Sequence, residues 1–256
     1  MRNLSFFLLM VVLSACGLLP PRPTLPPMQL TPLVSATATL IPSATSTPAT
    51  PTASLTSTPD RKFFRDDFNE ELDSEWSWVR EDPENWSLTA LPGALQINVA
   101  GGYVAEETNP NLLLRSAPEG DFQIQTQLTF RPTRNYQFAG LIIYEDSSNF
   151  LQAGRSYCDS TGCAGSGLYM DLYVNGDIIP PDFGQGYRVF DPLLLRLSRQ
   201  GDSYTFEAST NGKVWFLIGR HTSDMNPIQI GLVTGQRMSG ENLPATFEYF
   251  EVRSPQ

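Results

Sequence analysis

Apolar and polar residues alternate strictly in several stretches of this chain. In residues 121–130, one face carries Phe122, Ile124, Thr126, Leu128 and Phe130, and the other carries Gln123, Gln125, Gln127 and Thr129. The same period of two recurs in residues 168–174 and 204–209, and residues 137–144 form a more continuously apolar run. Successive side chains of a strand point to opposite faces, so the pattern predicts half-buried β-strands.

Turn residues separate these runs. Asn175-Gly176-Asp177 and Asn211-Gly212-Lys213 are typical of hairpins, and Gln200-Gly201-Asp202 lies between two further strand-like runs. No stretch shows a sustained helical period. The sequence therefore predicts an all-β fold, a two-sheet antiparallel sandwich of the jelly-roll kind.

The first residues resemble a bacterial lipoprotein signal. Arg2 supplies a basic start, residues 6–13 an apolar run too short to span a bilayer, and Leu13-Ser14-Ala15-Cys16 a cleavage motif. The resemblance implies that residues 1–15 are removed and that Cys16 becomes a lipid-bearing N-terminus. An ordinary secretory signal with an incidental cysteine is the alternative. Both place the protein outside the cytoplasm, and the first anchors it in a bacterial membrane, facing the exterior or the periplasm.

Residues 16–59 differ sharply from the rest in composition. They contain no Asp or Glu and repeat Thr-Pro, Ser-Thr and Ala-Thr steps. Such a segment cannot bury enough apolar surface to offset its ordering entropy, so we expect a disordered, semi-extended tether. Residues 60–256 then form one sandwich domain. This domain holds all 27 acidic residues and a formal charge of about −12, which argues against nucleic acid as a partner.

Apart from Cys16, the chain has two cysteines, Cys158 and Cys163. They bracket four residues between two strand-like runs, and an even pair in an exported domain predicts a disulfide that closes a hairpin loop. Zinc is a poorer explanation, because the single histidine, His221, is distant in sequence and two thiols do not complete a tetrahedral site.

A family resemblance rests on motifs spread over residues 63–253. They are Phe64-Arg65-Asp66-Asp67-Phe68-Asn69, the run from Leu72 to Pro83 with Trp76 and Trp78, Trp86-Ser87-Leu88, Pro92-Gly93-Ala94-Leu95, Asn111 to Arg115, Tyr136 to Leu141, Tyr144-Glu145-Asp146, Asn149-Phe150, Tyr204-Thr205, Ser209 to Gly212, Trp215, Ile230-Gly231-Leu232 and Phe247 to Phe250. Together they resemble the concanavalin-A-like C-terminal domain of family 43 glycoside hydrolases, the β-xylosidase type. The resemblance implies a concanavalin-A/laminin-G-like sandwich.

In that family the sandwich accompanies a catalytic propeller, whereas the residues before it here are predicted to be signal and tether. We therefore do not transfer the family's catalytic chemistry. One motif favours catalysis: Glu71, Asp73 and Glu75 fit an E-x-D-x-E pattern that would place carboxylates on one strand face for a retaining glycosidase. The resemblance places this stretch in a loop, and we expect no catalytic residues.

A carbohydrate site is predicted from outward-facing residues. Sugars are bound by aromatic faces and planar polar groups, and Tyr169, Asp171 and Tyr173 combine these on one strand, with Arg155 and Tyr157 on the preceding run. We predict that these five bind polysaccharide or oligosaccharide, with Tyr169 and Tyr173 as one stacking platform. The alternative is an ordinary solvent-facing or loop-covered surface. Trp76, Trp78 and Trp86 are expected to be packed rather than to bind sugar.

Calcium is a weaker possibility, since the carboxylates of Asp66, Asp67, Glu248 and Glu251 are hard oxygen ligands where the first and last strands meet. No EF-hand spacing supports it, and we predict no metal or other cofactor. The sequence thus favours a surface-anchored, non-catalytic carbohydrate-binding module. The alternatives are an envelope structural or protein-interaction domain and, third, a glycoside hydrolase. Oligomeric state is left open.

Overall fold

The computed structural model describes residues 62–159, 165–186, 191–237 and 243–255. The predicted signal, Cys16, the tether and Cys163 lie outside the described residues. No helix in the described part of the chain is long and apolar enough to cross a membrane.

The described chain is built from fifteen strands and one 3-10 turn, Pro83–Asn85. The strands are β1 Lys62–Asp66, β2 Ser77–Val79, β3 Trp86–Ser87, β4 Leu95–Val99, β5 Leu112–Ser116, β6 Phe122–Thr129, β7 Phe138–Tyr144, β8 Phe150–Cys158, β9 Gly165–Val174, β10 Asp177–Gln185, β11 Leu193–Gln200, β12 Ser203–Ser209, β13 Phe216–Thr222, β14 Gln229–Gly235 and β15 Leu243–Arg253.

These strands form two antiparallel sheets, which confirms the predicted all-β sandwich. Sheet A has eight strands in the order β13-β12-β11-β6-β15-β4-β3, with β1 also paired to β15. Sheet B has seven strands in the order β10-β9-β8-β7-β14-β5-β2. Each hairpin predicted from a glycine-containing turn is present, because β9 joins β10 through Asn175-Gly176, and β12 precedes β13 across Asn211-Gly212.

The main hydrophobic core lies between the sheets and uses the apolar member of each alternating pair. On β6 it takes Phe122, Ile124 and Leu128, and on β9 it takes Leu168, Met170 and Leu172, all at most 2% exposed. Burying this apolar surface stabilises the sandwich at roughly 25 cal/mol per Å² removed from water.

A second, smaller hydrophobic cluster lies on the outer face of sheet B. Its buried members are Val104, Leu112, Leu114, Phe138, Ile142, Phe150 and Val233. Val104 belongs to residues 101–111, which we call the wall loop. This loop therefore covers part of the outer face and leaves the β8–β9–β10 side of that face for a site.

Candidate functional site

The outer face of β9 carries the residues that the alternation singled out. Tyr169, Asp171 and Tyr173 are half-buried, whereas the residues between them and beside them point into the main core. The predicted outward orientation of these three side chains is confirmed. Tyr169 and Tyr173 lie four residues apart, about 13 Å along a strand at ~3.3 Å per residue. They therefore do not form the single stacking platform that we expected.

A cleft of about 610 Å³ opens above these side chains. Five of the nine tyrosines of the chain line it, together with other residues from β7 to β10 and Arg237 from the segment after β14. The described lining consists of Tyr103, Tyr136, Phe138, Gln152, Ser156, Tyr157, Cys158, Tyr169, Asp171, Tyr173, Ile178, Gly184 and Arg237.

The polar floor of the cleft is a pair formed across β8 and β9. Gln152 lies opposite Asp171 in the strand register, and its Nε2 donates a hydrogen bond to Asp171 Oδ2 at 3.1 Å. The pairing holds the carboxylate and the carboxamide side by side. An acceptor-only carboxylate next to an amide that can both donate and accept matches neighbouring hydroxyl groups of a sugar.

The aromatic side chains of β9 are held by different contacts. Tyr173 stacks on Phe150 of the outer cluster, with ring centroids 4.5 Å apart. The Tyr169 hydroxyl donates to the carbonyl oxygen of Gly165 at 2.7 Å, so the ring is held along its own strand. Both rings are therefore fixed before any ligand arrives, which lowers the entropic cost of binding.

The wall loop forms one side of the cleft through Tyr103. The loop is attached to the end of β14, where the Gly102 N–H donates to the Gln236 carbonyl oxygen at 2.9 Å. The Tyr103 hydroxyl donates to the Tyr136 carbonyl oxygen at 3.2 Å. Burial raises the pKa of Tyr103, and the nearby Tyr173 and Asp171 raise it further, while Arg237 opposes the shift. The phenol thus remains a neutral hydrogen-bonding group at physiological pH.

Arg237 stands at the rim. Its side chain is 62% exposed, and its Nε lies 3.8 Å from Glu106 Oε1 of the wall loop. This is a surface ion pair in contact with solvent, of a kind that contributes little to stability.

The structure does not place Arg155 on the outer face, where it was predicted to bind sugar. In the β8–β9 register it lies opposite Leu168, whose side chain enters the core, so Arg155 projects from the inner side of the sheet. Its guanidinium is buried and paired with Asp191, which also accepts from Arg131 Nε at 2.6 Å. Burial lowers the pKa of Arg155, and Asp191 opposes this. Arg155 is a structural cation, whereas Tyr157 does line the cleft.

Sequence reasoning missed Tyr103, Tyr136, Gln152 and Arg237. Three of them come from loops or a strand end far from β9 in sequence, and nothing local indicates that these segments meet over sheet B. Gln152 lies on β8, whose sequence does not alternate strictly; in the structure its neighbours Leu151 and Ala153 face the main core, and Gln152 lines the cleft.

The E-x-D-x-E stretch lies in the loop between β1 and β2, as the resemblance implied. Glu75 pairs with the buried Arg115, and Asp73 lies 4.0 Å from the same guanidinium. This guanidinium also covers the ring of Phe64 at 3.1 Å from the ring centroid. Glu75 and Asp73 therefore interact with a structural arginine.

Trp76, Trp78 and Trp86 are packed against the core, as predicted. Trp76 meets Phe250 edge to face at 5.0 Å, and its Nε1 donates to Asp66 Oδ2 at 2.8 Å. Trp78 and Trp86 contact each other at 4.9 Å between ring centroids.

Three of the four carboxylates considered for calcium, Asp66, Asp67 and Glu251, have other partners. Asp66 Oδ1 accepts from the Phe68 N–H, and Glu251 pairs with Arg65 and Arg253, while Arg65 also pairs with Asp67. Within the described ranges, no group of three or more His, Cys, Asp and Glu side chains is arranged to hold a metal ion.

Comparison with known proteins places this geometry in context. Residues 65–253 match the model of the β-xylosidase C-terminal concanavalin A-like domain. A xylan 1,3-β-xylosidase from a Vibrio species is 24% identical over 210 residues, which cover 73% of this chain and 37% of the relative.

Solved structures share the fold. The family 43 glycoside hydrolase protein BlXynB from Bacillus licheniformis superposes with a TM-score of 0.67 at 21% identity, covering 75% of this chain and 39% of that one. A protein of unknown function from Saccharomyces cerevisiae superposes at 0.53 with 15% identity, covering 72% of this chain and 98% of the other. The chain thus spans less than two fifths of the curated xylosidase and of the hydrolase structure that it matches.

Proposed function

Because the chain belongs to the family of β-xylosidase C-terminal concanavalin A-like domains, we propose that its outer cleft binds a neutral polysaccharide or oligosaccharide without cleaving it. The observation that carries the proposal is the tyrosine-lined cleft around the Gln152–Asp171 pair. Aromatic rings contact the C–H faces of sugars, and the polar pair offers both acceptors and a donor for hydroxyl groups.

Charge favours a neutral ligand. Asp171 lies in the floor and Glu106 at the rim, and Arg237, the cation of the described lining, is already paired with Glu106. A uronate or phosphate group entering the cleft would meet these carboxylates in a domain with a large negative charge. A neutral sugar is not repelled by these carboxylates.

The described lining residues do not include the pair of carboxyl groups needed for hydrolysis. Glycoside hydrolysis generally uses two carboxyl groups on either side of the scissile bond, about 5–9.5 Å apart. Among the described lining residues, Asp171 is the single carboxylic acid. A module that holds polysaccharide, or brings an enzyme to it, therefore accounts better for the cleft than a hydrolase does.

The names of the relatives suggest which sugars to try first. The matched Vibrio protein is a xylan 1,3-β-xylosidase, and a structural neighbour from Bacillus halodurans is a xylan β-1,4-xylosidase. We propose xylan-type chains as the ligand, together with anchoring of the protein to a bacterial membrane through lipid on Cys16.

Calorimetric titration of the purified full chain with β-1,3- and β-1,4-xylo-oligosaccharides tests binding, and a glycan array extends the test to other sugars. Replacing Asp171 with Ala should weaken binding about tenfold or more, equivalent to about 1.4 kcal/mol. Asp177→Ala is the matched control, because Asp177 is an exposed β10 residue outside the cleft lining. Equal binding by both variants would place the site elsewhere, and release of reducing sugar by the wild type would show a hydrolase.

Membrane anchoring has its own test. Replacing Cys16 with Ser removes the predicted lipid attachment, so the variant should leave the membrane fraction while the wild type stays in it. Immunoblots of fractionated cells measure this. Unchanged membrane retention and processing of the variant would remove the lipoprotein proposal without affecting the cleft.

A protein-interaction role is the second candidate, and one observation favours it. Val214, Phe216 and Leu217 are each about half exposed at the β13 edge of sheet A. Exposed apolar clusters are typical of contact surfaces. Binding to no sugar on the array, combined with loss of a co-purifying envelope protein in a Leu217→Ser variant, would favour this role over the carbohydrate-binding one.

A further inference from the structure

A row of register partners with three glycines runs across sheet B and reaches the lining of the cleft at Tyr169 and Gly184. In register, Gly140 of β7 lies opposite Gly154 of β8, Gly154 opposite Tyr169 of β9, and Tyr169 opposite Gly184 of β10. The first two glycines are required by packing, because an added Cβ at Gly140 or Gly154 would collide with the backbone of the neighbouring strand. Tyr169 is thus flanked on both sides by backbone, which leaves a trough beside its ring.

Aromatic side chains stand around this trough on three sides. Tyr103 of the wall loop stands on the β7 side, and the buried Val104 beside it packs with Val233, the residue opposite Gly140. Tyr136 and Tyr157 lie toward the end of β8, where the Tyr136 N–H donates to the Tyr157 carbonyl oxygen at 2.9 Å. Tyr173, fixed by its stack on Phe150, lies toward the other end of β9.

The fourth side is different. β10 is the edge strand of sheet B, and at the register position beside Tyr169 it presents Gly184, which is exposed and lines the cleft. The trough therefore leads over the edge of the sheet at Gly184 and ends at Tyr103 of the wall loop.

We infer that the cleft recognises the terminal sugar of a glycan, with the rest of the chain leaving over Gly184. This inference rests on the proposed carbohydrate-binding function. An internal segment needs an exit at both ends of its binding groove, and the described residues around the trough leave one open side, at Gly184. The terminal unit lies against Tyr169 with its hydroxyl groups on Asp171 and Gln152, and Tyr103 stops further entry.

The length dependence of binding tests this directly. Calorimetric titration of the full chain with linear xylo-oligosaccharides of two to six units should give dissociation constants within about threefold of one another, because the added units lie outside the cleft. An affinity that rises steadily with each unit would overturn the terminal-sugar inference while supporting the proposed function. Absence of binding to every oligosaccharide would overturn both.

A steric block tests the entrance. Gly184→Phe places a ring at the open side and should weaken oligosaccharide binding at least about tenfold. Asp177→Phe adds the same ring to an exposed position of β10 outside the cleft lining and should bind like the wild type. Thermal unfolding of both variants checks that the edge strand is intact. Wild-type binding by a folded Gly184→Phe variant would contradict an entrance at Gly184.

Chain-end counting provides a test with the polymer. Insoluble xylan is partly hydrolysed so that the number of chain ends per milligram rises about tenfold, and the saturating amount of bound protein is measured on each sample. A terminal-sugar site predicts capacity in proportion to the ends. Capacity that stays constant per milligram would show binding along the chain and would overturn the inference.

Discussion

The ring of Tyr173 lies parallel to the ring of Phe150, at an interplanar angle of 13°, on the outer face of sheet B. Phe150 is buried in the outer cluster, so this contact joins a side chain of the cleft to the hydrophobic packing under the wall loop. Tyr173 therefore takes part both in stability and in the shape of the site.

Replacing Tyr173 with Ala should lower the free energy of unfolding by about 1–3 kcal/mol, because it removes an offset aromatic pair and its buried area. Tyr173→Phe keeps the ring and should cost less than half as much. Urea unfolding followed by tryptophan fluorescence measures both. Equal losses in the two variants would mean that the hydroxyl, not the stacked ring, stabilises the fold.

The buried ion pair of Arg155 gives a second prediction. Asp191→Ala leaves the guanidinium buried without its main counter-charge and should destabilise the domain by about 3–5 kcal/mol. Arg131 contacts the same carboxylate but is 80% exposed, so Arg131→Ala is the matched control and should cost no more than about 1 kcal/mol. Similar midpoints for Asp191→Ala and the wild type would contradict the structural role assigned to Arg155.

Alkaline unfolding should report on Tyr103. Its pKa is raised in the folded protein, so the unfolded chain ionises first, near the ordinary value of about 10. The stability contributed by the neutral phenol is fully present below that pH and is lost as pH rises toward the folded pKa, by up to about 1.4 kcal/mol per pH unit. Urea midpoints between about pH 8 and 11 should therefore fall less steeply for Tyr103→Phe. Parallel curves would contradict the shift.

The pairing of Cys158 with Cys163 remains a prediction from the sequence. Cys158 is buried at the end of β8, opposite Gly165 of β9, so a bond would close the turn between these strands. Mass spectrometry of the non-reduced protein should find the two residues in one linked peptide. Reduction should cost less than about 3 kcal/mol, because the closed loop is short. Two alkylated thiols before reduction would rule the bond out.

The sandwich was predictable because alternation and turn chemistry act locally. On β9, a strict two-residue period separates Tyr169 and Asp171 from the core residues beside them, and the structure follows it. β8 shows why the same argument failed for Arg155. Eight of its nine residues are buried, both those that face the main core and those on the outer face. Because neither face of β8 is consistently polar, its sequence does not show which residues face the core, and an arginine on this strand can be assigned to either side.

The cleft itself depends on contacts that no local pattern carries. Tyr103 reaches the site because Gly102 is hydrogen-bonded to Gln236, more than 130 positions later in the chain. The ion pair of Arg155 likewise depends on Asp191, which precedes β11 in the other sheet. Such contacts follow from how the two sheets and their loops come together, which the alternation of each strand does not specify.

Recognition and folding use alternate residues of the same strands. On β9, Leu168, Met170 and Leu172 pack in the core, while Tyr169 and Asp171 face the cleft. The edge strand β10 adds Ile178 and Gly184 to the cleft lining. A lineage can therefore exchange the cleft-facing residues, and with them the sugar that is bound, while the core residues keep the sandwich intact. Divergence of this kind is consistent with a fold that superposes at a TM-score of 0.67 when only 21% of residues are identical.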